Sequence, residues 1–295
     1  MMYHLMTRAD DAPSRLPAIL AEEFRVTLAE TDVSAGSEWE DRNWDAVVTC
    51  EYEPLQGDLS WSLTIYAANE VRHQPSEAAL ASAVARSLSA SVFVEWDSRF
   101  PWMRRVALPE GGHTLARVTQ SGEDGPGYSV DAAESTIPDV PHVPVMRLPE
   151  VVQAYDIPTP ITDSVEWVGI DKGSGDLATL VRNWERLCSR LRTGWPPEGW
   201  YSATLYREDL EFRSRLDTEM EALPPEVDKS TLQEVVEKLD FIYRNSTSDD
   251  GGLALSAALE ESPEKLSRRP WYWRRRPLDL PWLEAGPNEN ETQPL

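Results

Sequence analysis

Seven prolines fall between Ser121 and Val165: Pro126, Pro138, Pro141, Pro144, Pro149, Pro158 and Pro160. Prolines so spaced forbid a continuous helix and favour extended chain. The stretch therefore divides the 295-residue chain into two parts that must fold from different local patterns. Residues 121–165 read as a linker or an extended strap. Its interleaved Ile137, Val140, Val143, Val145 and Met146 imply that part of it packs against a domain.

Ahead of the prolines, residues 1–120 read as an α+β domain. Tyr3–Ala9 reads as a strand and Pro13–Glu23 as a helix, with a further strand over Arg25–Glu30 and a loop over Thr31–Arg42. Ala46–Tyr52 and Trp61–Tyr66 are strands joined through Leu55-Gln56-Gly57-Asp58. Ser76 caps a helix in which Leu80, Val84 and Leu88 recur at helical spacing. Strands follow at Val92–Trp96, Met103–Leu108 and Thr114–Thr119. A mainly antiparallel sheet with helices packed on one face satisfies this order.

Beyond the prolines, residues 166–283 read as a mainly helical domain. Asp176 caps a helix carrying Leu177, Leu180, Val181, Trp184, Leu187, Cys188 and Leu191, ending before Gly194. A second helix covers Leu205–Leu223. Ser230 and Gln233 form a capping box for a third, and a short helix lies near Leu253–Glu260. Residues 284–295 are polar and read as a disordered tail.

Charge narrows the classes of function. The chain carries 51 acidic residues against 28 basic ones, a formal net charge of -23, and the excess is present on both sides of residue 150. Such a surface repels phosphate backbones, so its bulk does not bind nucleic acid. It attracts basic proteins. No run approaches the 18 or so apolar residues that span a bilayer, and the N-terminus lacks a secretory pattern. Cys50 and Cys188 are far apart and flanked by apolar residues, as reduced, buried thiols would be. A cytoplasmic protein is expected.

Catalytic signatures are missing. His4, His73, His113 and His142 share no ligand spacing, and neither a metal nor a cofactor is expected. Gly169-Ile170-Asp171-Lys172-Gly173-Ser174-Gly175 departs from the phosphate-loop pattern and reads as a flexible approach to the next helix. Asp249 and Asp250 lie beside two glycines without the calcium-loop spacing.

Two segments remain as candidate sites. Glu38, Trp39, Glu40, Asp41, Trp44 and Asp45 mix aromatic anchors with acids, as a protein-binding edge does. Arg268, Arg269, Trp271, Trp273, Arg274, Arg275 and Arg276 form an alternative anion site. In so acidic a chain, intramolecular pairing of these arginines is the expected outcome.

The run Ser76-Glu77-Ala78-Ala79-Leu80 through Leu88, then Ser91-Val92-Phe93-Val94 and Trp102-Met103-Arg104-Arg105-Val106, resembles actinobacterial immunity-type and related uncharacterised proteins. The resemblance covers residues 45–120, includes no diagnostic motif and carries no functional residue across. Together with the acidity and the 12 tryptophans, it points to a non-enzymatic immunity protein or antitoxin whose partner is a basic protein such as a nuclease-like toxin. The competing expectation is an enzyme or ligand-binding protein that grips an anion with the Arg268–Arg276 cluster.

Overall fold

In the strand Met2–Thr7 (β1), Tyr3, Leu5 and Thr7 are buried while Met2 and His4 are exposed. That period-two alternation recurs along the neighbouring strands and sets the architecture of the first unit. A computed structural model describes residues 1–37, 40, 42–121, 127–167, 176–225 and 229–282. The chain divides into two compact units, Met1–Glu150 and Val151–Leu295. The fold is α+β.

The first unit is built on a nine-stranded sheet. Its remaining strands are β2 (Thr31–Ala35), β3 (Val48–Pro54), β4 (Gln56–Gly57), β5 (Trp61–Ala67), β6 (Val92–Glu95), β7 (Met103–Ala107), β8 (His113–Ser121) and β9 (Gly127–Ala133). They lie in the order β2-β3-β5-β1-β6-β7-β8-β9-β4. Pairing is antiparallel except for β2 on β3 and β4 on β9. Gly57 (φ 92) needs its missing side chain here, because a Cβ would lie 2.3 Å from the Tyr128 carbonyl oxygen.

Two helices, α1 (Ala12–Phe24) and α2 (Glu77–Leu88), cover one face. Leu16, Leu20 and Phe24 of α1 and Leu80, Val84 and Leu88 of α2 pack on Tyr3, Leu5, Cys50, Leu63, Ile65, Val92 and Val94. Ser76 caps α2 by accepting from the Ala79 N–H at 3.3 Å. On the opposite face, Phe93, Val106, Val118 and Val130 are covered by Leu59 and by Ile137, Val140 and Val143. Those last three come from the proline-rich stretch, which also contains β9 and two short helices, α3 (Pro149–Ala154) and α4 (Pro160–Asp163). Asp139 fastens the stretch down: its carboxylate accepts from the Ser91 N–H (2.8 Å) and hydroxyl.

One strand is displaced from its expected place. Arg25–Glu30 forms no strand, and the loop expected from Thr31 begins with β2. Arg25 closes α1 in the left-handed region (φ 55), its N–H returning to the Ala21 and Glu22 carbonyls. Thr27 and Glu30 then make a capping box around a single 3-10 turn, Leu28–Glu30. The alternation of Arg25–Glu30 is thus spent on a helix exit, and pairing with β3 recruits the polar residues that follow.

The second unit packs α5 (Leu177–Thr193), α6 (Ala203–Ala222) and α7 (Ser230–Asn245) around Leu180, Trp184, Leu187, Tyr206, Leu210, Leu239 and Tyr243. Two short helices follow, α8 (Leu253–Ala258) and α9 (Pro263–Ser267), and β10 (Thr247–Asp249) pairs antiparallel with β11 (Arg275–Pro277). Two expected caps take other roles. Asp176 makes no capping bond and instead meets Arg215 of α6 at 2.6 Å. Ser230 is already helical, with Lys229 at the cap position. Glu185 serves α4 from a distance, accepting from the Ile161 and Thr162 N–H groups at 2.8 and 2.7 Å.

A charged pair sits inside this helical core. Arg213 is 4% exposed and donates to both Asp240 oxygens, at 3.2 and 3.0 Å, and to Asp217. Its guanidinium stands 5.5 Å from the Trp184 ring centroid and 5.0 Å from that of Tyr272. Trp184 Nε1 donates to Asp240 as well, at 3.0 Å. Breaking such a pair strands a buried charge, at a cost of about 3–5 kcal/mol. Arg213→Ala will therefore lower the unfolding free energy measured by urea titration by about that amount. The double change Arg213→Met, Asp240→Leu will recover much of the loss, since apolar replacement removes both desolvation costs. Equal destabilisation by the two proteins would refute this account of the core.

Candidate functional site

The same alternation that buries one face of the sheet determines what the other presents. Across β2, β3, β5 and β1, one row of register partners is Ser34, Glu51, Thr64 and His4. The next row is Asp32, Thr49, Tyr66 and Met2, and Glu53 lies opposite Ser62. Glu51, Glu53, His4, Met2 and Tyr66 are all exposed, Met2 at 58% and Tyr66 at 46%. The covering residues Ile137, Val140 and Val143 pack elsewhere, over β6 to β9. An acidic, partly apolar sheet face is left at the surface.

The loop between β2 and β3 forms its rim. Arg42 crosses to Glu51 at 2.6 Å and donates to the Ala35 carbonyl at 3.1 Å. The Asn43 N–H donates to Asp32 (2.9 Å), and Asn43 Nδ2 donates to the Ala29 carbonyl (2.8 Å). These bonds hold the chain leading into Trp44, which is 66% exposed and whose ring lies 5.8 Å from the Arg42 guanidinium carbon. Glu40 and Asp45 are exposed on the same loop, and Leu28 is exposed on the turn that Asn43 ties to it. An exposed indole flanked by carboxylates has the composition of an interface anchor and its polar rim.

Of the six loop residues singled out in the sequence, Glu40, Trp44 and Asp45 lie here, whereas Glu38, Trp39 and Asp41 lie outside the described residues. Sequence reading missed Glu51, Glu53, Tyr66 and Met2. Their spacing within each strand was visible, but their meeting depends on the β2-β3-β5-β1 order, which no local signal encodes.

The arginine and aromatic segment is divided among several tasks. Tyr272 and Trp273 are buried, each 1% exposed. Tyr272 donates its hydroxyl to Ser214 and Asp217, and Trp273 Nε1 donates to Ser214 at 2.9 Å. Trp271 packs edge-on to Tyr243, beneath the Arg244 guanidinium. Arg275 donates to the Thr247 hydroxyl and to the Arg244 and Thr247 carbonyls. Arg274 pairs with Asp249 at 3.1 Å, Arg269 stacks on Trp273, and Arg276 lies in β11 opposite Ser248. Arg268 is exposed.

Other candidates resolve into local structure. Asp250 accepts from the Gly252 and Ala254 N–H groups, and Asp249 from Gly251. The Gly169–Gly175 loop and the tail 284–295 fall outside the described residues. Cys50 and Cys188 are buried free thiols, and burial pushes both far above the ordinary thiol range. Among the described residues, no cluster of three or more His, Cys, Asp or Glu is arranged to hold a metal, and no helix is long and apolar enough to cross a membrane. Comparison with known protein families, curated proteins and solved structures finds no match to this chain.

One carboxyl is strongly perturbed. Asp209 on α6 accepts the Tyr201 hydroxyl at 2.6 Å, and desolvation by its packed surroundings pushes it up to about 7. Arg190 offsets part of this while packing its guanidinium 5.2 Å from the Tyr201 ring. A carboxyl raised on folding favours the native state below its ordinary value of 3.8, and that advantage is lost as pH rises through about 7. Asp209→Asn keeps an acceptor for Tyr201 without the titration. The thermal midpoint of the variant relative to the native chain will therefore climb between pH 4 and 7, and level off above. Parallel midpoint curves would show that Asp209 does not titrate in this window.

Proposed function

We propose that this chain is a non-enzymatic binding module that docks a basic protein through the open face of β2, β3, β5 and β1. The reading belongs to the class of immunity protein or antitoxin, acting in the cytoplasm on a nuclease-like toxin. One observation carries it: Glu51, Glu53, Tyr66 and Met2 are exposed on one sheet face whose rim holds Trp44 with Glu40 and Asp45. The two buried free thiols suit a reducing compartment.

Mechanistically, the two kinds of residue divide the work. The net charge of -23 and the carboxylates of the face steer a cationic surface into encounter, which accelerates association at low salt. Trp44 and Tyr66 are then desolvated and hold the complex, which slows its dissociation. The rim bonds of Arg42 and Asn43 hold the chain leading into Trp44 before contact, which reduces the ordering entropy lost on binding. A partner with a basic active-site groove would be blocked by occlusion, without chemistry on either protein.

The decisive experiment co-expresses the chain with each neighbouring gene product that arrests growth, then measures the purified complex by surface plasmon resonance. Growth is restored by the native chain. Trp44→Ala and Tyr66→Ala raise the dissociation rate, each costing about 2 kcal/mol or more if they are anchors. Glu51→Gln with Glu53→Gln lowers the association rate and flattens its salt dependence. Relief of arrest that survives all four substitutions would place the interface elsewhere. Absence of relief for every neighbouring product would end the reading.

A further inference from the structure

A cavity of about 530 Å³ opens where α1 ends, within the range of about 300–1,000 Å³ typical of small-molecule sites. Its residues are not those of the open sheet face, so it stands or falls independently of the docking proposal. Phe24 and Val71, both part of the helix-side core, join Val26 and Val47 as its apolar wall. Arg25, Arg72 and His73 supply donors at its mouth.

Local structure explains how the arginines come together. The left-handed residue at the end of α1 is Arg25 itself, and its N–H is consumed by the Ala21 and Glu22 carbonyls. The turn therefore presents the Arg25 side chain beside the chain leaving β5, which carries Arg72 and His73. Both arginines are exposed, and among the described residues neither is held by a carboxylate. Two exposed arginines at one cavity leave guanidinium donors available to an anion from outside.

The negative groups nearby restrict which anion fits. Glu30 lines the cavity with its carboxylate held by the Thr27 N–H and hydroxyl, at 2.8 and 2.7 Å, which keeps it below the usual carboxylate range. Glu70 is exposed at the same mouth. These two fixed charges oppose a polyanion such as a nucleotide while tolerating a single negative charge. The apolar wall requires an apolar body on the ligand.

We propose that this cavity binds a small monocarboxylic acid with an aromatic or aliphatic body. Its carboxylate meets Arg25 and Arg72, and its body lies against Phe24, Val26, Val47 and Val71.

Calorimetric titration of the full chain at neutral pH tests this with phenylacetate, hexanoate, phenyl phosphate and 2-phenylethanol as probes. Saturable binding of phenylacetate or hexanoate is expected, at least about tenfold tighter than the dianion or the alcohol. Arg72→Ala will weaken that binding about tenfold or more, and Arg72→Lys will retain part of it. Arg25→Asn, which tolerates the left-handed backbone, will weaken it similarly. The proposal is overturned if neither carboxylate binds saturably, or if the alcohol or the phosphate binds as tightly. Binding that survives both Arg72→Ala and Arg25→Asn overturns it as well.

Discussion

A strand residue must face one side of its sheet or the other, and in the first unit that geometric fact governs everything else. Tyr3, Leu5, Cys50, Leu63 and Ile65 all fall on the side covered by α1 and α2. Their alternates are therefore committed to the opposite side whether or not anything covers them. Over β6 to β9 those alternates are apolar, and the proline-rich stretch closes on them through Ile137, Val140 and Val143. Over β2, β3, β5 and β1 they are mainly polar, Asp32, Thr49, Glu51, Glu53, Thr64 and His4, with only Met2 and Tyr66 apolar among them, and the proline-rich apolar residues pack elsewhere. The boundary between covered and open face follows from side-chain chemistry along the sheet.

The second unit is governed by a buried cation. Arg213 lies among Trp184, Asp240 and Tyr272, and each remaining guanidinium N–H direction needs an acceptor. Asp240 and Asp217 provide them, while Ser214 and Asp217 also anchor Tyr272 and Trp273. The arginine and aromatic segment near the C-terminal end thus completes a core that three helices leave unfinished. Its basic residues also serve structure: Arg275 satisfies backbone carbonyls near β10, and Arg274 pairs with Asp249.

Charge links these architectures to the proposed role. A surface this acidic is costly to bring together with itself or with nucleic acid and inexpensive to bring to a cationic protein. The open sheet face adds what charge alone lacks, namely exposed aromatic groups, Tyr66 on the face and Trp44 at its rim. The cavity at the end of α1 balances Arg25 and Arg72 against Glu30 and Glu70, a local departure from the acidic excess, and it is lined by residues other than those of the open face.

Helices with strong periodicity were legible residue by residue: Leu80, Val84 and Leu88 in α2, and Leu180, Trp184 and Leu187 in α5, all face inward. The strands of Trp61–Ala67 and Val92–Glu95 announced themselves by β-branched and aromatic alternation. Edges were not legible. Thr31–Ala35 is polar and becomes a strand because β3 offers it partners, while Arg25–Glu30 has the alternation but is consumed in leaving α1. Asp176 has the right chemistry for a cap, but Arg215 on another helix takes its carboxylate.

By itself, then, the sequence determined the acidity, the helical stripes, the α+β order and the loop chemistry around Trp44, because each is a property of composition or of neighbours along the chain. Tertiary structure alone decided that Glu51, Glu53, Tyr66 and Met2 share a face, and that Arg25 and Arg72 meet at one cavity. The reason is physical: strand order and helix exits are settled by long-range pairing and burial, and the energies that select among them belong to no single segment.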